Sequence, residues 1–145
     1  MIPLDGLALA PTDAPDAGDV ALIERELVAF NVERSLPYDR RPLCVFLRDG
    51  AGRAVGGVTG STNWGWLYLD CFWLPDALRQ GGWGGRVLAA AEAEAVARGC
   101  RRARLYTYSF QAQSFYERHG YTVFGTLEDD PPGHRQVWMR KDLSA

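Results

Sequence analysis

The 145-residue chain has no long hydrophobic run, no basic excess and no cysteine framework, and each lack excludes a class of function. No stretch approaches the ~20 consecutive apolar residues that a membrane-spanning helix requires. With 16 basic against 18 acidic side chains, the formal charge is −2. No net positive field therefore exists to drive counterion-releasing contact with nucleic acid. Cys44, Cys71 and Cys100 are odd in number, and their spacing fits neither a zinc site nor a disulfide scaffold. The opening "MIPLDGLALAPTDAPDAGD" lacks a basic start and a sustained apolar core, so it does not read as a secretory signal. Repeats and low-complexity tracts are missing too. The expectation is a reduced, cytoplasmic protein with no metal, nucleic-acid or membrane partner.

What is present suits one globular domain spanning residues 1–145. Apolar residues make up 47% and charged residues 23%, enough to bury one continuous core. Leu4–Ala10 reads as a short edge strand. Asp13 or Asp16 can cap the helix that follows, whose Val20, Ile23, Leu27 and Phe30 form one apolar stripe. Ser35–Pro42 breaks the pattern as a loop. "LCVFL" and "AVGGVTG" flank a hairpin at Asp49-Gly50, and a second reversal at "STNWG" leads into the strand Trp66–Leu74. Alternation turns Leu67, Leu69, Cys71 and Trp73 to the core. Trp66, Tyr68, Asp70 and Phe72 fall on the other face, an ionisable group among aromatics that suggests a cleft.

Further on, Val87, Leu88, Ala91 and Ala95 form a helical stripe, with Glu92, Glu94 and Arg98 free to face water and Gly99 at the helix end. "RARLYTYS" reads as a strand, "FQAQSFYERHG" as a short helix ended by Gly120, and "YTVFGTL" as a strand. The loop "EDDPPGH" then leads to a last strand, "RQVWMRKDL". This order predicts an α/β (α+β) domain whose first half is largely antiparallel.

Four glycines, Gly81, Gly82, Gly84 and Gly85, crowd into five positions where a helix is about to start. Glycine costs a helix about 1 kcal/mol per residue against alanine. No Lys-Ser or Lys-Thr pair follows, so the stretch is not a P-loop, and Val87 occupies the third glycine position of a dinucleotide fingerprint. What remains is R-x-x-G-x-G, formed by Arg79, Gly82 and Gly84. Residues without Cβ let a backbone approach a large anion, and the N–H groups of a helix start then point at its phosphates. The other reading is a loop whose glycines merely permit a tight turn.

The strand, the Arg-x-x-Gly-x-Gly loop, the alanine-rich helix, a further strand and a helix ending "FYERHGY" together resemble the GNAT superfamily of N-acetyltransferases. The resemblance runs most strongly from about Val55 to Leu143. Two positions depart from the family pattern: Ser109 stands where Asn is frequent, and Trp83 where a small aliphatic residue is usual. The resemblance implies a mixed, mostly antiparallel central sheet flanked by helices. It implies acetyl-CoA as acyl donor and direct transfer, in a ternary complex, to the primary amine of a small molecule. No cysteine stands in a matched catalytic position, which argues against a covalent acetyl-enzyme.

Site residues follow from the same resemblance. The strand before the glycine loop splays from its neighbour, and the backbone of Phe72 and Leu74 holds the pantetheine arm. The Leu74 N–H polarises the thioester carbonyl, a donation worth ~3 kcal/mol in other enzymes. Arg79, Gln80, Gly81, Gly82, Trp83, Gly84 and Gly85 cradle the pyrophosphate, with Ser109 and Tyr116 also on the cofactor side. Tyr116 protonates the departing thiolate, its alternative being core packing with a satisfied hydroxyl. Asp70 is the first candidate for general base, since burial among Trp66, Tyr68 and Phe72 would raise its pKa. Its alternative is a structural carboxylate. His134 titrates near neutrality and can bind substrate or relay a proton; His119, at a helix end, reads as structural. Tyr38, Asp39, Trp64, Tyr68, Tyr108 and His134 flank the acceptor side and would suit a small cationic amine, although core packing explains the aromatics equally. Two other readings stay open: a non-catalytic acyl-CoA-binding or partner-binding module, and a protein or peptide N-acetyltransferase. A homodimer is also left open.

Overall fold

The computed structural model describes residues 1–143, and the chain divides into two units, one ending at Tyr38 and the next beginning at Asp39. In the N-terminal unit, α1 spans Ala17–Arg34. Asp16 caps it, its Oδ1 accepting the Gly18 N–H at 2.8 Å, and the Ser35 hydroxyl donates to the Asn31 carbonyl at 2.7 Å at the far end. Leu4–Ala10 does not form the expected strand; it is irregular, with a turn at Asp5-Gly6. An apolar run becomes a strand only where another edge takes up its backbone groups. The stripe Val20, Ile23, Leu27 and Phe30 is helical as expected, but no residue of α1 is buried.

The second unit is built on a six-stranded sheet. Its strands are β1 (Arg41–Arg48), β2 (Ala54–Asn63), β3 (Trp66–Trp73), β4 (Arg102–Tyr108), β5 (Thr122–Glu128) and β6 (Arg135–Asp142). They lie in the order β1-β2-β3-β4-β6-β5, and only β3–β4 is parallel. A parallel neighbour needs a long crossover, and α2 (Trp83–Ala97) supplies it. Its stripe Val87, Leu88, Ala91 and Ala95 is fully buried, in one core with Leu67, Leu69, Ala103, Leu105, Val137 and Met139 of the sheet. The short α3 (Gln113–Arg118) joins β4 to β5. The mixed, mostly antiparallel architecture is the expected one.

Two irregularities shape β3. Thr59 pairs with Cys71 but Gly60 pairs with Leu69, so Asp70 is an extra residue in a β-bulge. A Cβ at Gly60 would collide with the Tyr68 carbonyl there. The bulge reverses the faces beyond it. Leu67 and Leu69 are buried as alternation requires, but Phe72 and Leu74 then turn to the core, while Cys71 and Trp73 are exposed. The expected core positions of Cys71 and Trp73 are thus corrected.

The second irregularity is a splay. β3 pairs with β4 only over Trp66–Leu69 and Arg102–Leu105, while β4 continues along β6 as far as Tyr108 and Gln136. Beyond Leu69 the β4-facing edge of β3 has no strand partner among the described residues.

Both α2 and α3 end on a left-handed glycine, with Cys100 N–H bonded back to Ala95 and Tyr121 N–H to Tyr116. Glu92 and Arg98 do not simply face water. The Glu92 carboxylate accepts from Lys141 Nζ at 2.9 Å and from the Tyr121 hydroxyl at 3.2 Å, and Arg98 donates to the Pro42 carbonyl at 2.9 Å and to Thr62 Oγ1 at 3.1 Å.

Candidate active site

β3 delivers Leu74, Pro75 and a single 3-10 turn, Asp76–Leu78, into the glycine loop. Arg79 folds back over that exit. Its Nε donates to the Leu74 carbonyl at 2.9 Å and its Nη1 meets Asp76 Oδ1 at 2.7 Å. In this structure Arg79 therefore fixes the strand exit.

The four glycines serve two different needs. Gly81 and Gly82 have φ of 93° and 82°, a left-handed conformation that side chains disfavour, and a Cβ on either would meet nothing within 4 Å. Gly82 is the residue before the first turn of α2, its carbonyl accepting the Arg86 N–H at 3.1 Å. The N–H groups of Trp83, Gly84 and Gly85 belong to that first turn, where a helix supplies no acceptor of its own. Gly84 and Gly85 are needed for contact instead. A Cβ on Gly84 would lie 3.1 Å from Phe115, and one on Gly85 would lie 2.9 Å from His119 Nε2. Trp83 packs against the core and carries the Arg86 guanidinium 4.0 Å from its ring centroid.

α3 presents Phe115, Tyr116 and His119 to this region. The Tyr116 ring lies edge-on to Phe72, at 6.3 Å between centroids, and to Tyr121, at 5.8 Å. Tyr116 is only 8% exposed, and burial pushes its phenol up to about 12. Among the described residues its hydroxyl has no hydrogen-bond partner. His119 Nδ1 lies 2.8 Å from the Phe115 carbonyl at the end of α3.

Past the splay, the outer face of the sheet carries a continuous aromatic band. Trp138 lies 6.5 Å from Tyr68 and 5.0 Å from Tyr106. Tyr106 meets Tyr108 at 5.8 Å, Tyr108 stacks on Phe110 at 5.3 Å with ring planes 3° apart, and Phe110 meets the His134 ring at 4.9 Å. Burial first, then the Asp70 charge, raises the Tyr68 phenol; burial and the neighbouring Tyr108 and Asp70 raise that of Tyr106. Ser109 anchors the band: its N–H donates to the Arg135 carbonyl at 2.9 Å and its Oγ accepts the Arg135 N–H at 3.0 Å.

The model of the Acetyltransferase (GNAT) family matches residues 16–121. The chain belongs to that family. An acetyltransferase of Agrobacterium fabrum is 36% identical over 130 residues, covering 90% of this chain and 95% of the relative. The blasticidin-S acetyltransferase of Streptomyces morookaense is 34% identical over 124 residues, covering 83% and 91%. A crystal structure of an acetyltransferase from Agrobacterium tumefaciens superposes with a TM-score of 0.88 at 34% identity, covering 94% of this chain and 99% of that one.

Within this GNAT chain the residues expected at the site do not all converge. Asp70 is exposed at the bulge, so the burial among Trp66, Tyr68 and Phe72 that was expected of it is absent. Phe72 has turned to the core and contacts Phe115 and Tyr116 instead. Asp39 Oδ1 accepts the Trp64 N–H at 2.9 Å and so fixes the β2–β3 turn, whereas Tyr38 belongs to the N-terminal unit. Tyr68, Tyr108 and His134 all join the aromatic band. Tyr106, Phe110 and Trp138 join it too and were missed; the period-two run Tyr106, Tyr108, Phe110 was the signal that would have found two of them. Among the described residues no group of three or more His, Cys, Asp or Glu is placed to hold a metal ion, and no helix is long and apolar enough to cross a membrane.

Proposed function

We propose that this GNAT acetyltransferase uses acetyl-CoA to acetylate the primary amine of a small molecule, by direct attack within a ternary complex. The observation that carries the reading is the edge of β3 left without a strand partner beyond Leu69, running straight into the glycine loop. A pantetheine arm can take the place of the missing strand there, hydrogen-bonding to the Phe72 and Leu74 backbone. Arg79 already occupies the Leu74 carbonyl, so Leu74 contributes through its N–H, which donates to the thioester carbonyl as negative charge builds on oxygen. The turn at Gly81 and Gly82 and the first N–H groups of α2 face the pyrophosphate.

The amine nitrogen bonds to the thioester carbon, and the carbon–sulfur bond breaks. The Tyr116 hydroxyl, without a hydrogen-bond partner among the described residues, gives its proton to the departing sulfur. Asp70, exposed beside the splay, takes the ammonium proton directly or through water. The small-molecule assignment draws support from the relative named for blasticidin-S.

Release of free thiol from acetyl-CoA, measured against amines, amino acids, aminoglycosides and peptides, tests the proposal. Turnover with a small amine is the expected result. Turnover with peptides alone would make the protein a peptide acetyltransferase, and CoA binding without turnover would make it a binding module.

A further inference from the structure

The outer face of the sheet carries a second concavity at the other end of β3, about 340 Å³ in volume, whose walls include Arg40, Arg104, Asn63, Trp66 and Tyr68. Arg40 and Arg104 pair with no carboxylate among the described residues, whereas Arg79, Arg98, Arg102 and Arg140 all do. The Arg104 guanidinium lies 4.6 Å from the Tyr68 ring centroid, on the aromatic floor of the cavity. Weakly hydrated and planar, a guanidinium so held is suited to a carboxylate or phosphate. Asn63 also lines the cavity, although its Oδ1, which has no hydrogen-bond partner among the described residues, is buried away from the opening.

This cavity is continuous with the splay. Tyr68 lines it and stacks on Trp138, which in turn touches Tyr106, the first β4 residue past the last β3–β4 pair. Trp66 and Asp70 are four strand steps apart, roughly 13 Å at ~3.3 Å per step. We infer that the cavity holds the anionic end of the acceptor, so the substrate is an amine that also carries a carboxylate or phosphate some ~10–15 Å from the reacting nitrogen. Purely polycationic amines are disfavoured, since Arg40 and Arg104 repel a second positive charge. The inference rests on the acetyl-transfer reading for the amine end and on the cavity alone for the anionic end.

The two ends are tested separately. Thiol release from acetyl-CoA is measured with octylamine, 8-aminooctanoate, 8-aminooctyl phosphate and octane-1,8-diamine. At least one of the two anionic amines is expected to exceed octylamine tenfold in kcat/KM, with the diamine lowest. Whichever leads identifies carboxylate or phosphate as the preferred group. Arg104→Gln and Arg40→Gln are each expected to erase that preference by raising KM for the anionic amine, while KM for acetyl-CoA stays put. Equal kcat/KM for octylamine and both anionic amines, or a preference that survives in both variants, overturns the inference. If no amine releases thiol, the acetyl-transfer reading fails, and the cavity is judged by binding. Octanoate and octyl phosphate are then titrated against the fluorescence of Trp64 and Trp66. Quenching by either that is lost in Arg104→Gln upholds an anion site, and no quenching by either overturns it.

Discussion

Tyr116 and Tyr121 lie ring against ring at 5.8 Å, both buried, and their hydroxyls have opposite fates. The Tyr121 hydroxyl donates to Glu92 at 3.2 Å, inside a cluster closed by Lys141, whereas that of Tyr116 has no partner among the described residues. Burial raises both phenols, and the Glu92 charge raises that of Tyr121 further. Tyr121 is thus a structural tyrosine, and Tyr116 keeps a proton to give.

Tyr116→Phe keeps the ring contacts with Phe72 and Tyr121 and removes only the proton. Turnover is expected to fall ~10²-fold or more, the scale of a positioned acid, with acetyl-CoA affinity nearly unchanged. Turnover equal to wild type would return Tyr116 to the core.

The raised phenol also sets a dependence on pH. Tyr116 titrates near the ordinary value of 10 when unfolded and at about 12 when folded. The folded state therefore favours the neutral form. Its contribution is fully present below pH 10 and is lost as pH rises from 10 to 12. Denaturant unfolding of wild type and Tyr116→Phe at pH 9 and pH 11.5 should show the stability gap shifting against wild type by on the order of 1–3 kcal/mol. A gap that does not move with pH would mean the phenol is not desolvated in the folded state.

Gly82→Asp places a side chain on a left-handed residue and a negative charge at the mouth of the loop. Acetyl-CoA at a hundredfold its dissociation constant should stabilise wild type by about 2.7 kcal/mol, and this variant not at all. Calorimetry showing equal CoA affinity would remove the loop from the donor site.

Gly85→Ala would ordinarily favour a helix by about 1 kcal/mol. Here the new Cβ meets His119 Nε2 at 2.9 Å, so a lower Tm is expected. In a His119→Ala background the same change should become neutral or stabilising. Additive effects of the two substitutions would mean that α2 and α3 do not meet at this point.

Asp70→Asn tests the base. Folding and CoA binding should persist, while the rate collapses near neutral pH and recovers as the amine deprotonates in solution. A lowered Tm with a pH–rate profile of unchanged shape would make Asp70 structural and bring His134 forward.

Much of the fold was legible because periodicity is local. The stripe Val87, Leu88, Ala91, Ala95 and the glycine stops at Gly99 and Gly120 depend only on neighbours a few residues away. The β3 faces were misread past Leu69 because a bulge is a property of two strands, set by how Gly60 on β2 approaches Tyr68. That one extra residue moved Cys71 and Trp73 outward, turned Phe72 inward and left Asp70 in water. Leu4–Ala10 was misread for a related reason: strand formation depends on a neighbouring edge that composition does not reveal. The purposes of Gly84 and Gly85 were hidden too, since Phe115 and His119 lie some thirty positions further along the chain.

The parallel seam between β3 and β4 has a mechanical meaning. Within the sheet, four residue pairs, Trp66–Leu69 against Arg102–Leu105, join β1-β2-β3 to β4-β6-β5, and the α2 stripe packs against strands on both sides of that seam. The end of the seam where that pairing stops is a notch between β3 and β4. A donor seated in that notch would span both sides like a rivet, so the force needed to part them and the affinity for the donor would rise and fall together.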